Sequence, residues 1–181
     1  MLIRHADPDR DAAACAAIYA PSVSRGVASL EERAPEPAEF AERIRIVSRH
    51  HPWLVAENDG TIVGYAYASR HHDRASYRWS ADVTVYITAD HHRRGVGRAL
   101  YGALLPLITR QGFYEACAGI TLPNDASVGL HESLGFVPVG VYRNIAFKLG
   151  HWYGVGWWQK TLREHTGEPP AEVGPPLRLA G

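Results

Sequence analysis

One stretch of the chain constrains the fold more than any other: a β-rich run, a basic loop with two glycines, and a helical pattern. The β-rich run covers residues 82–87, and the glycines are Gly95 and Gly97. The apolar residues of the helical pattern are Leu100, Leu104, Leu105 and Ile108. A helix that follows a glycine turn binds anions, because its first N–H groups lack partners and glycine lets a phosphate approach the backbone. The stretch predicts a site for a phosphorylated ligand, with the acidic Asp82 on the strand that leads to it.

The order of elements predicted along the chain is β-α-α-β-β-β-α-β-α-β-β. Asp7 before Pro8 is typical of a helix start, and the Asn-Asp-Gly sequence at 58–60 is typical of a hairpin turn. Antiparallel strands come first, and a strand–helix unit with a parallel partner follows. We therefore expect an α/β fold with a mixed, mostly antiparallel central sheet flanked by helices. The first helix should end near Tyr19, and Pro106 should kink or break the helix after the glycine turn.

Length and composition favour one domain of ordinary globular character. We place it at residues 1–163 of the 181 and expect the four-proline segment 164–181 to be a loose tail. A net charge of zero argues against a nucleic-acid-binding surface, and no apolar run approaches the roughly 20 residues that cross a membrane. The two cysteines, Cys15 and Cys117, do not make a disulfide framework. Because the N-terminus also lacks a signal-peptide pattern, we expect a cytoplasmic enzyme or binding protein.

The glycine turn can be compared with three phosphate-binding patterns. A Walker loop requires a Gly-Lys-Ser/Thr ending, which the turn lacks. A dinucleotide fingerprint requires a third glycine, where this chain has Leu100, and it belongs near the first strand rather than after the fourth. Residues 94–99 read Arg-Gly-Val-Gly-Arg-Ala and fit the pattern Arg-x-x-Gly-x-Ala. This resembles the acetyl-CoA pyrophosphate loop of the GCN5-related N-acetyltransferases (the GNAT superfamily), whose fold the element order resembles over residues 1 to about 162.

Four further segments resemble the phosphinothricin N-acetyltransferase group within that superfamily. They are residues 53–57, 79–86, 122–125 and 147–152, and residues 122–128 with 131–136 resemble the asparagine-to-Gly-Phe block of the superfamily as a whole. The resemblance implies acetyl-CoA as co-substrate and no metal. It also implies that the acceptor is the primary amine of a small amino-acid-like compound of phosphinothricin or methionine sulfoximine type. A possible homodimer is the assembly to test.

Asp82 is the candidate general base. Side chains at alternate positions share one face of a strand, and that face is polar. Its members are Arg78, Ser80, Asp82, Thr84 and Tyr86. The resembled group carries Glu at this position, proposed to take the proton of the acceptor's ammonium. Asp is one methylene shorter, so a relaying water is one route, and burial would have to raise its pKa. The alternative is a structural acid paired with Arg78.

His131 is the second candidate catalytic residue. The resemblance implies that it protonates the departing CoA thiolate, and an imidazole can act as acid or base near neutral pH. The alternative is a helix histidine that only packs against the cofactor. The resemblance assigns to acetyl-CoA binding the residues Val85, Tyr86, Ile87, Arg93, Arg94, Gly95, Val96, Gly97, Arg98, Ala99, Asn124, Ser127 and His131. For Asn124 and Ser127, capping of the short helix is an alternative that is compatible with this role.

The acceptor pocket is predicted from four residues: Arg78, Leu30, Tyr86 and Lys148. Arg78 is the candidate carboxylate clamp, because a guanidinium matches a carboxylate through two hydrogen bonds, and Lys148 is a second candidate. A surface charge is the alternative for both. The resembled enzymes carry aromatic residues where this chain has Ser22 and Leu30, so phosphinothricin itself is not implied as the substrate.

Two other patterns have ordinary explanations. Adjacent histidines at 50–51, 71–72 and 91–92 cannot present both rings to one metal from a strand or a helix, so we interpret them as loop histidines. The aromatic run at 152–158 indicates strand packing or a dimer surface. Two other functions stay open: acetylation of a protein or peptide N-terminus, and a non-catalytic acyl-CoA-binding domain.

Overall fold

The computed structural model describes residues 1–168 and 170–179 and contains seven strands, four α-helices and two short 3-10 helices in those ranges. The strands are β1 (Leu2–His5), β2 (Trp53–Asn58), β3 (Thr61–Arg70), β4 (Ser80–Ile87), β5 (Glu115–Leu122), β6 (Val137–Lys148) and β7 (His151–Thr161). The helices are α1 (Pro8–Ser24), α2 (Pro37–Ser48), α3 (Val96–Gln111) and α4 (Asp125–Ser133). Their order along the chain is the predicted one, and the α/β fold class is confirmed.

The seven strands form a single sheet in the order β1-β2-β3-β4-β5-β7-β6. Neighbours β4 and β5 run parallel, and the other neighbouring pairs run antiparallel. Parallel neighbours need a crossover connection, which α3 supplies. The sheet is therefore mixed and mostly antiparallel, as expected.

Two apolar clusters cover the two faces of the sheet. One lies around α3 and contains Leu100, Tyr101 and Leu104, and it also takes Ala81 and Val83 from β4. The other lies under α1 and α2 and contains Cys15, Phe40, Ile44, Trp53, Val55 and Tyr65. Tyr86 packs against this second cluster. The alternation expected for β4 is therefore present: its odd-numbered residues face α3, and its even-numbered residues face α1.

Two element boundaries differ from those predicted. Helix α1 continues past Tyr19 to Ser24 with Pro21 in its last turns. Helix α3 is not broken at Pro106 and ends at Gln111, the predicted last residue. The buried Leu105, Leu107 and Ile108 hold α3 against the sheet on both sides of its proline, so tertiary packing outweighs the lost backbone hydrogen bond. Strand β6 extends past Tyr142 to Lys148 and forms a hairpin with β7.

The C-terminal tail is not loose, and that expectation is corrected for its described residues. The indole Nε1 of Trp79 donates to the Ala171 carbonyl at 2.9 Å, and the Gly174 N–H donates to the Gln111 carbonyl at 2.8 Å. Three apolar side chains of the tail pack against the cluster around α3: Val173, Leu177 and Leu179. The proline content suggested disorder, but these apolar residues bury enough surface to order the segment. Pro169, Ala180 and Gly181 lie outside the described residues.

Among the helices that the structure describes, none has the length and apolar character needed to span a membrane.

Candidate active site

The two parallel strands separate partway along their length. The β4–β5 pairing covers Ser80–Glu115, Ala81–Ala116 and Asp82–Cys117 and ends there, although both strands continue. Beyond Asp82, a cavity of about 1050 Å³ lies between the strands and extends to the ends of α3 and α4. Its lining includes Val83–Thr88 and 118–121 from the two strands. The backbone groups of β4 that would pair with β5 are therefore available to an elongated ligand.

The N-terminus of α3 forms one end of this cavity. Its cap residue is Gly95, with a φ of 82°, a conformation that L side chains rarely adopt. A Cβ on Gly97 would approach Leu130 to 2.8 Å and Ile87 to 3.1 Å, so glycine allows the close packing here. The first N–H groups of a helix lack intrahelical partners and lie at the positive end of its dipole. This end of the cavity can therefore bind the phosphates of an acyl-CoA.

Five of the seven predicted loop residues, 93–99, line the cavity, and two do not. Arg93, Gly95, Val96, Gly97 and Arg98 line the cavity. Arg94 and Ala99 do not belong to its lining; the Ala99 N–H makes the first helical hydrogen bond, to the Gly95 carbonyl.

Helix α4 closes the cavity on the side of β5. The Asn124 Oδ1 accepts a hydrogen bond from the Ser127 N–H at 3.1 Å and so caps the helix, and both residues also line the cavity. The capping role and a contact with the ligand are thus compatible, as expected.

His131 is buried, with 3% of its surface exposed, and it lines the same cavity. Its Nδ1 lies 2.7 Å from the Ser127 carbonyl, and because a carbonyl oxygen only accepts, Nδ1 carries a proton. Burial lowers the pKa of His131, and the bond to Ser127 opposes this shift only in part, so the ring is neutral at neutral pH. Its Nε2 then accepts from the Tyr101 hydroxyl at 3.0 Å.

Tyr101 was not predicted as a site residue. The residue belongs to the apolar stripe of α3 and has the pattern of a core position, yet its hydroxyl joins His131 and its ring lines the cavity. No short-range pattern reveals a partner 30 positions away.

Asp82 stands where the two strands separate, and it pairs with a histidine rather than with Arg78. The Nδ1 of His71 lies 2.7 Å from the Asp82 Oδ1. Burial raises the pKa of Asp82, and the hydrogen bond from His71 opposes this rise in part. His71 was interpreted as a loop histidine, because its contact with Asp82 depends on how the chain turns after β3.

Cys117 lies beside this pair. His71, Asp82 and Cys117 each offer one potential metal-ligand atom, and these atoms lie within 4.8 Å of one another. Burial, together with the charges of Asp82 and Glu115, raises the pKa of the Cys117 thiol to about 12. The thiol is therefore neutral at physiological pH and a poor nucleophile.

A smaller cavity of about 390 Å³ adjoins the first on the α1 side of the sheet. Its lining is Tyr19, Ala28, Ser29, Leu30, Glu31, Tyr86, Gly119, Thr121 and Val155. Ala28, Tyr86, Gly119 and Thr121 line both cavities, so the two are continuous. Of the predicted acceptor residues, Leu30 and Tyr86 lie here.

Arg78 and Lys148 do not line either cavity, and their assignment to acceptor binding is corrected. Strand β4 begins at Ser80, so the alternation from Asp82 does not reach back to Arg78. The Arg78 guanidinium instead donates to both carboxylate oxygens of Glu172 at 3.1 and 3.0 Å and lies over the Trp79 ring. The Lys148 ammonium, with 7% of the residue exposed, donates to the Ser29 carbonyl at 2.6 Å.

Lys148 therefore supports the acceptor cavity instead of lining it. The carbonyl that it binds belongs to the loop between α1 and α2, which carries Leu30 and Glu31. Glu31 is also held from the other side, by two hydrogen bonds from the Arg43 guanidinium at 2.7 and 2.9 Å and one from the Tyr19 hydroxyl at 2.8 Å. These bonds keep the pKa of Glu31 below its usual range, and they were not predicted.

The charge of the smaller cavity follows from these contacts. Among the described residues, Glu31 is the one ionised side chain in its lining, and the remaining lining is apolar, hydroxyl-bearing or glycine. An acceptor ammonium entering this cavity meets a carboxylate at Glu31. Asp82, which precedes the first β4 residue of the larger cavity's lining, belongs to neither lining.

The cavity lies between two parallel strands that separate after the partly buried Asp82, and a helix N-terminus forms one end of it; this arrangement suits a phosphorylated acyl donor. The family model described as an acetyltransferase (GNAT) domain matches residues 3–157. The chain belongs to the GNAT acetyltransferase family and is an acetyl-CoA-dependent N-acetyltransferase.

Individual relatives are similar over most of the chain. Phosphinothricin N-acetyltransferase of Streptomyces viridochromogenes is 39% identical over 143 residues, which are 79% of this chain and 77% of the relative. The protein of the same description from Alcaligenes faecalis is 38% identical over 156 residues, 85% of this chain and 79% of the relative. The crystal structure of a GNAT superfamily phosphinothricin acetyltransferase from Sinorhizobium meliloti with AcCoA superimposes with a TM-score of 0.89 at 34% identity, covering 94% of this chain and 93% of that one.

Proposed function

We propose that the protein transfers the acetyl group of acetyl-CoA to the primary amine of a small amino-acid-like acceptor of phosphinothricin or methionine sulfoximine type. Transfer is direct, within a complex that holds both substrates. The names of the relatives support the acceptor class. The neutral thiol of Cys117 supports direct transfer, because it removes the nearest candidate for an acyl-enzyme intermediate.

The larger cavity holds the donor. The N-terminus of α3, with Arg93 and Arg98 beside it, binds the pyrophosphate, and the free backbone edge of β4 pairs with the pantetheine arm. Asn124 and Ser127 bind the arm from α4. Acetyl-CoA supplies the thioester carbonyl, and a backbone N–H of β4 is suited to stabilise the oxyanion that forms there.

The reaction requires two proton transfers, one from the acceptor's ammonium and one to the CoA thiolate that leaves. Asp82, directly or through water, takes the proton of the ammonium, because only the neutral amine can attack the carbonyl carbon. His131 or a water protonates the thiolate that leaves. The neutral His131 has no proton on Nε2, because that nitrogen accepts from the Tyr101 hydroxyl. Donation by His131 therefore requires that Nε2 first gains a proton; Nε2 then gives it to the Tyr101 oxygen as the Tyr101 hydroxyl gives its own to the thiolate.

The observation that carries this proposal is the end of the β4–β5 pairing at Asp82. It puts Asp82, the one acid of the strand, directly before Val83, the first β4 residue that lines the larger cavity. The N-terminus of α3 forms another part of that lining. The test is the release of free thiol from acetyl-CoA with a panel of amino-acid analogues. Release with small amines supports the proposal. Release with peptides alone indicates an N-terminal acetyltransferase, and tight CoA binding without turnover on any amine indicates an acyl-CoA-binding domain.

The assembly proposed is a homodimer formed through β6. This strand is at the edge of the sheet, and its exposed apolar residues are Val137, Val139, Val141, Tyr142, Ile145 and Phe147, with Trp152 next to them on β7. An exposed edge strand with an apolar face favours association with another chain, and an identical edge is the partner always available.

The remaining assignments concern domain limits and location. The catalytic domain is residues 1–163, and the segment 164–181 is an extension whose described residues dock onto it. The proposed location is the cytoplasm, which agrees with two buried free cysteines in a chain that forms no disulfide between them.

A further inference from the structure

We propose that His71, Asp82 and Cys117 form a binding site for a divalent transition-metal ion of the Zn²⁺ type, and that an ion bound there inhibits acetyl transfer. The binding site rests on the geometry and chemistry of the three side chains alone. The inhibition rests on the proposed function, in which Asp82 takes the proton of the acceptor's ammonium. The ion is therefore an inhibitor and not a cofactor of the reaction.

The three side chains meet where β3, β4 and β5 lie side by side. Asp82 on β4 pairs with Cys117 on β5 in parallel register, so their side chains project from the same face of the sheet. His71 directly follows β3, and its Nδ1 lies 2.7 Å from the Asp82 Oδ1. One potential ligand atom from each residue lies within 4.8 Å of the other two. A nitrogen, an oxygen and a sulfur donor thus come together from three segments of the chain.

This set of donors suits Zn²⁺. The ion forms tetrahedral complexes with imidazole nitrogen, carboxylate oxygen and thiolate sulfur at about 2.0–2.3 Å, which puts the donors about 3.3–3.8 Å from one another. The His71 Nδ1 and the Asp82 Oδ1 are closer than this, and the widest separation in the group is at most 4.8 Å. Side-chain shifts of about 1 Å therefore bring the three donors to bonding distance of one ion.

The charges of such a complex balance. On binding, the Cys117 thiol gives its proton to water, and its sulfur donates an electron pair to the ion. The His71 ring stays neutral, because Nδ1 releases its hydrogen to solvent and Nε2 takes one up. The two positive charges of the ion are then matched by the Cys117 thiolate and the Asp82 carboxylate, so the partly buried complex has no net charge. Mg²⁺ and Ca²⁺ prefer several oxygen ligands, and this site offers them one carboxylate.

Solvent reaches the site from the side of His71 and Asp82. Their side chains are 25% and 27% exposed, so an ion can enter without any opening of the core. The neighbouring acid Glu115 is held by hydrogen bonds from Gln159 and Thr161 at 2.8 and 3.1 Å. The fourth position of a tetrahedral ion is therefore left to water.

An ion at this site occupies the proposed general base. A carboxylate bound to a divalent cation has a lowered affinity for a proton, so Asp82 can no longer accept one from the ammonium. None of the three ligands lines the larger cavity, so acetyl-CoA should bind equally well with and without the ion. Inhibition should accordingly lower kcat without weakening donor binding.

Co²⁺ is the probe for the site, because its absorption spectrum reports both tetrahedral geometry and a thiolate ligand. The wild type should bind one Co²⁺ per chain with a thiolate charge-transfer band, and Zn²⁺ but not Mg²⁺ should displace it. Cys117→Ser should remove the band, and both Cys117→Ser and His71→Ala should weaken Zn²⁺ binding in calorimetric titration by at least about 10-fold. His71→Ala keeps the test decisive if Cys117→Ser does not fold.

Two matched controls each remove one potential ligand elsewhere. Cys15→Ala removes the other thiol, which lies in the cluster under α1 and α2. His72→Ala removes the neighbouring imidazole, which stacks on Tyr77 and accepts a hydrogen bond from the Arg74 N–H. Both variants should bind Co²⁺ and Zn²⁺ as the wild type does.

The outcomes separate the site from the reaction. A wild-type Co²⁺ spectrum without the thiolate band, or Zn²⁺ binding unchanged in Cys117→Ser and His71→Ala, overturns the site whether or not any amine is acetylated. With an acetylated amine in hand, the Zn²⁺ concentration for half-inhibition should rise at least about 10-fold in Cys117→Ser. Equal inhibition of this variant and the wild type overturns the inhibitory role while acetyl transfer stands. Failure to acetylate any amine overturns the proposed function and the inhibition with it, and the Co²⁺ titration still decides the site.

Discussion

The Tyr101 hydroxyl donates its hydrogen bond to Nε2 of His131 at 3.0 Å, and the His131 Nδ1 donates to the Ser127 carbonyl at 2.7 Å. Both nitrogens of the ring are therefore occupied, and the neutral imidazole has no proton of its own directed into the cavity. A proton reaches the leaving thiolate from this pair only if Nε2 is protonated first and Tyr101 then passes its hydroxyl proton on, which makes the tyrosine the residue to test.

Replacing Tyr101 with phenylalanine should lower kcat by about 10-fold or more with little change in the affinity for acetyl-CoA. The ring keeps its packing, and the lost hydroxyl leaves the buried Nε2 of His131 without its donor, at a cost of about 1–3 kcal/mol in the free energy of unfolding. Steady-state kinetics, calorimetric titration with CoA and urea unfolding separate the three effects. Wild-type turnover would show that water alone protonates the thiolate.

Asp82→Asn should lower kcat by at least about 100-fold, and the affinity for acetyl-CoA should stay unchanged. Its stability should change with pH in a defined direction. Burial raises the pKa of Asp82 in the folded state, so a protonated Asp82 favours the folded over the unfolded protein. This contribution to the free energy of unfolding is fully present below ~4, and it is lost as the pH rises through the pKa of the folded state. Asparagine does not titrate, so the Asp82→Asn variant does not lose stability in this way. Relative to the wild type, it should therefore gain stability in urea unfolding between pH 3 and pH 7, and a constant difference would contradict the assigned cause of the shift.

The sequence predicted the element order, the sheet type and the two faces of β4, because these depend on local periodicity and on turn residues. It also predicted the glycine turn before α3, since such a turn before a helix is a local signal. The acceptor side was predicted less well. Arg78 and Lys148 are cations whose partners, Glu172 and the Ser29 carbonyl, lie 94 and 119 positions away along the chain.

The residues that were missed share the same physical reason. His71 reaches Asp82 because the chain turns after β3, and Tyr101 reaches His131, which lies on a helix 30 positions further along the chain. Glu31 is defined by Arg43 and Tyr19, each 12 positions away. Side-chain pairs formed by tertiary packing leave no periodic trace, so only the three-dimensional structure reveals them.

Gly95→Ala tests the anion-binding terminus of α3. The φ of 82° at Gly95 is strained for alanine, so the substitution should destabilise the protein by about 1 kcal/mol and weaken acetyl-CoA binding by distorting the cap. Gly102→Ala in the same helix is the control. Its Cβ would meet nothing within 4 Å, and it should raise stability by up to about 1 kcal/mol without affecting affinity. Equal acetyl-CoA affinity in both variants would argue against a role for this terminus.

Arg78→Ala distinguishes a substrate clamp from an anchor for the tail. Because its guanidinium binds Glu172, we expect kcat and the KM for the amine to stay within about twofold of the wild type. Loss of the ion pair should instead free the tail, so limited proteolysis should cleave within 164–179 faster than in the wild type. Glu172→Gln should reproduce the faster cleavage. A KM raised tenfold for the amine alone would restore Arg78 to the acceptor site.

Val139→Glu tests the proposed dimer through β6. Val139 is 63% exposed on the edge strand, and a buried unpaired carboxylate at a self-associating interface costs several kcal/mol, counted in both copies. Light scattering coupled to size exclusion should show a dimer for the wild type and a monomer for this variant. The control is Ile46→Glu on α2, where a residue with 53% exposure lies away from β6 and the same charge should leave the mass unchanged. A monomeric wild type, or a Val139→Glu variant that stays dimeric, would contradict an interface at this strand.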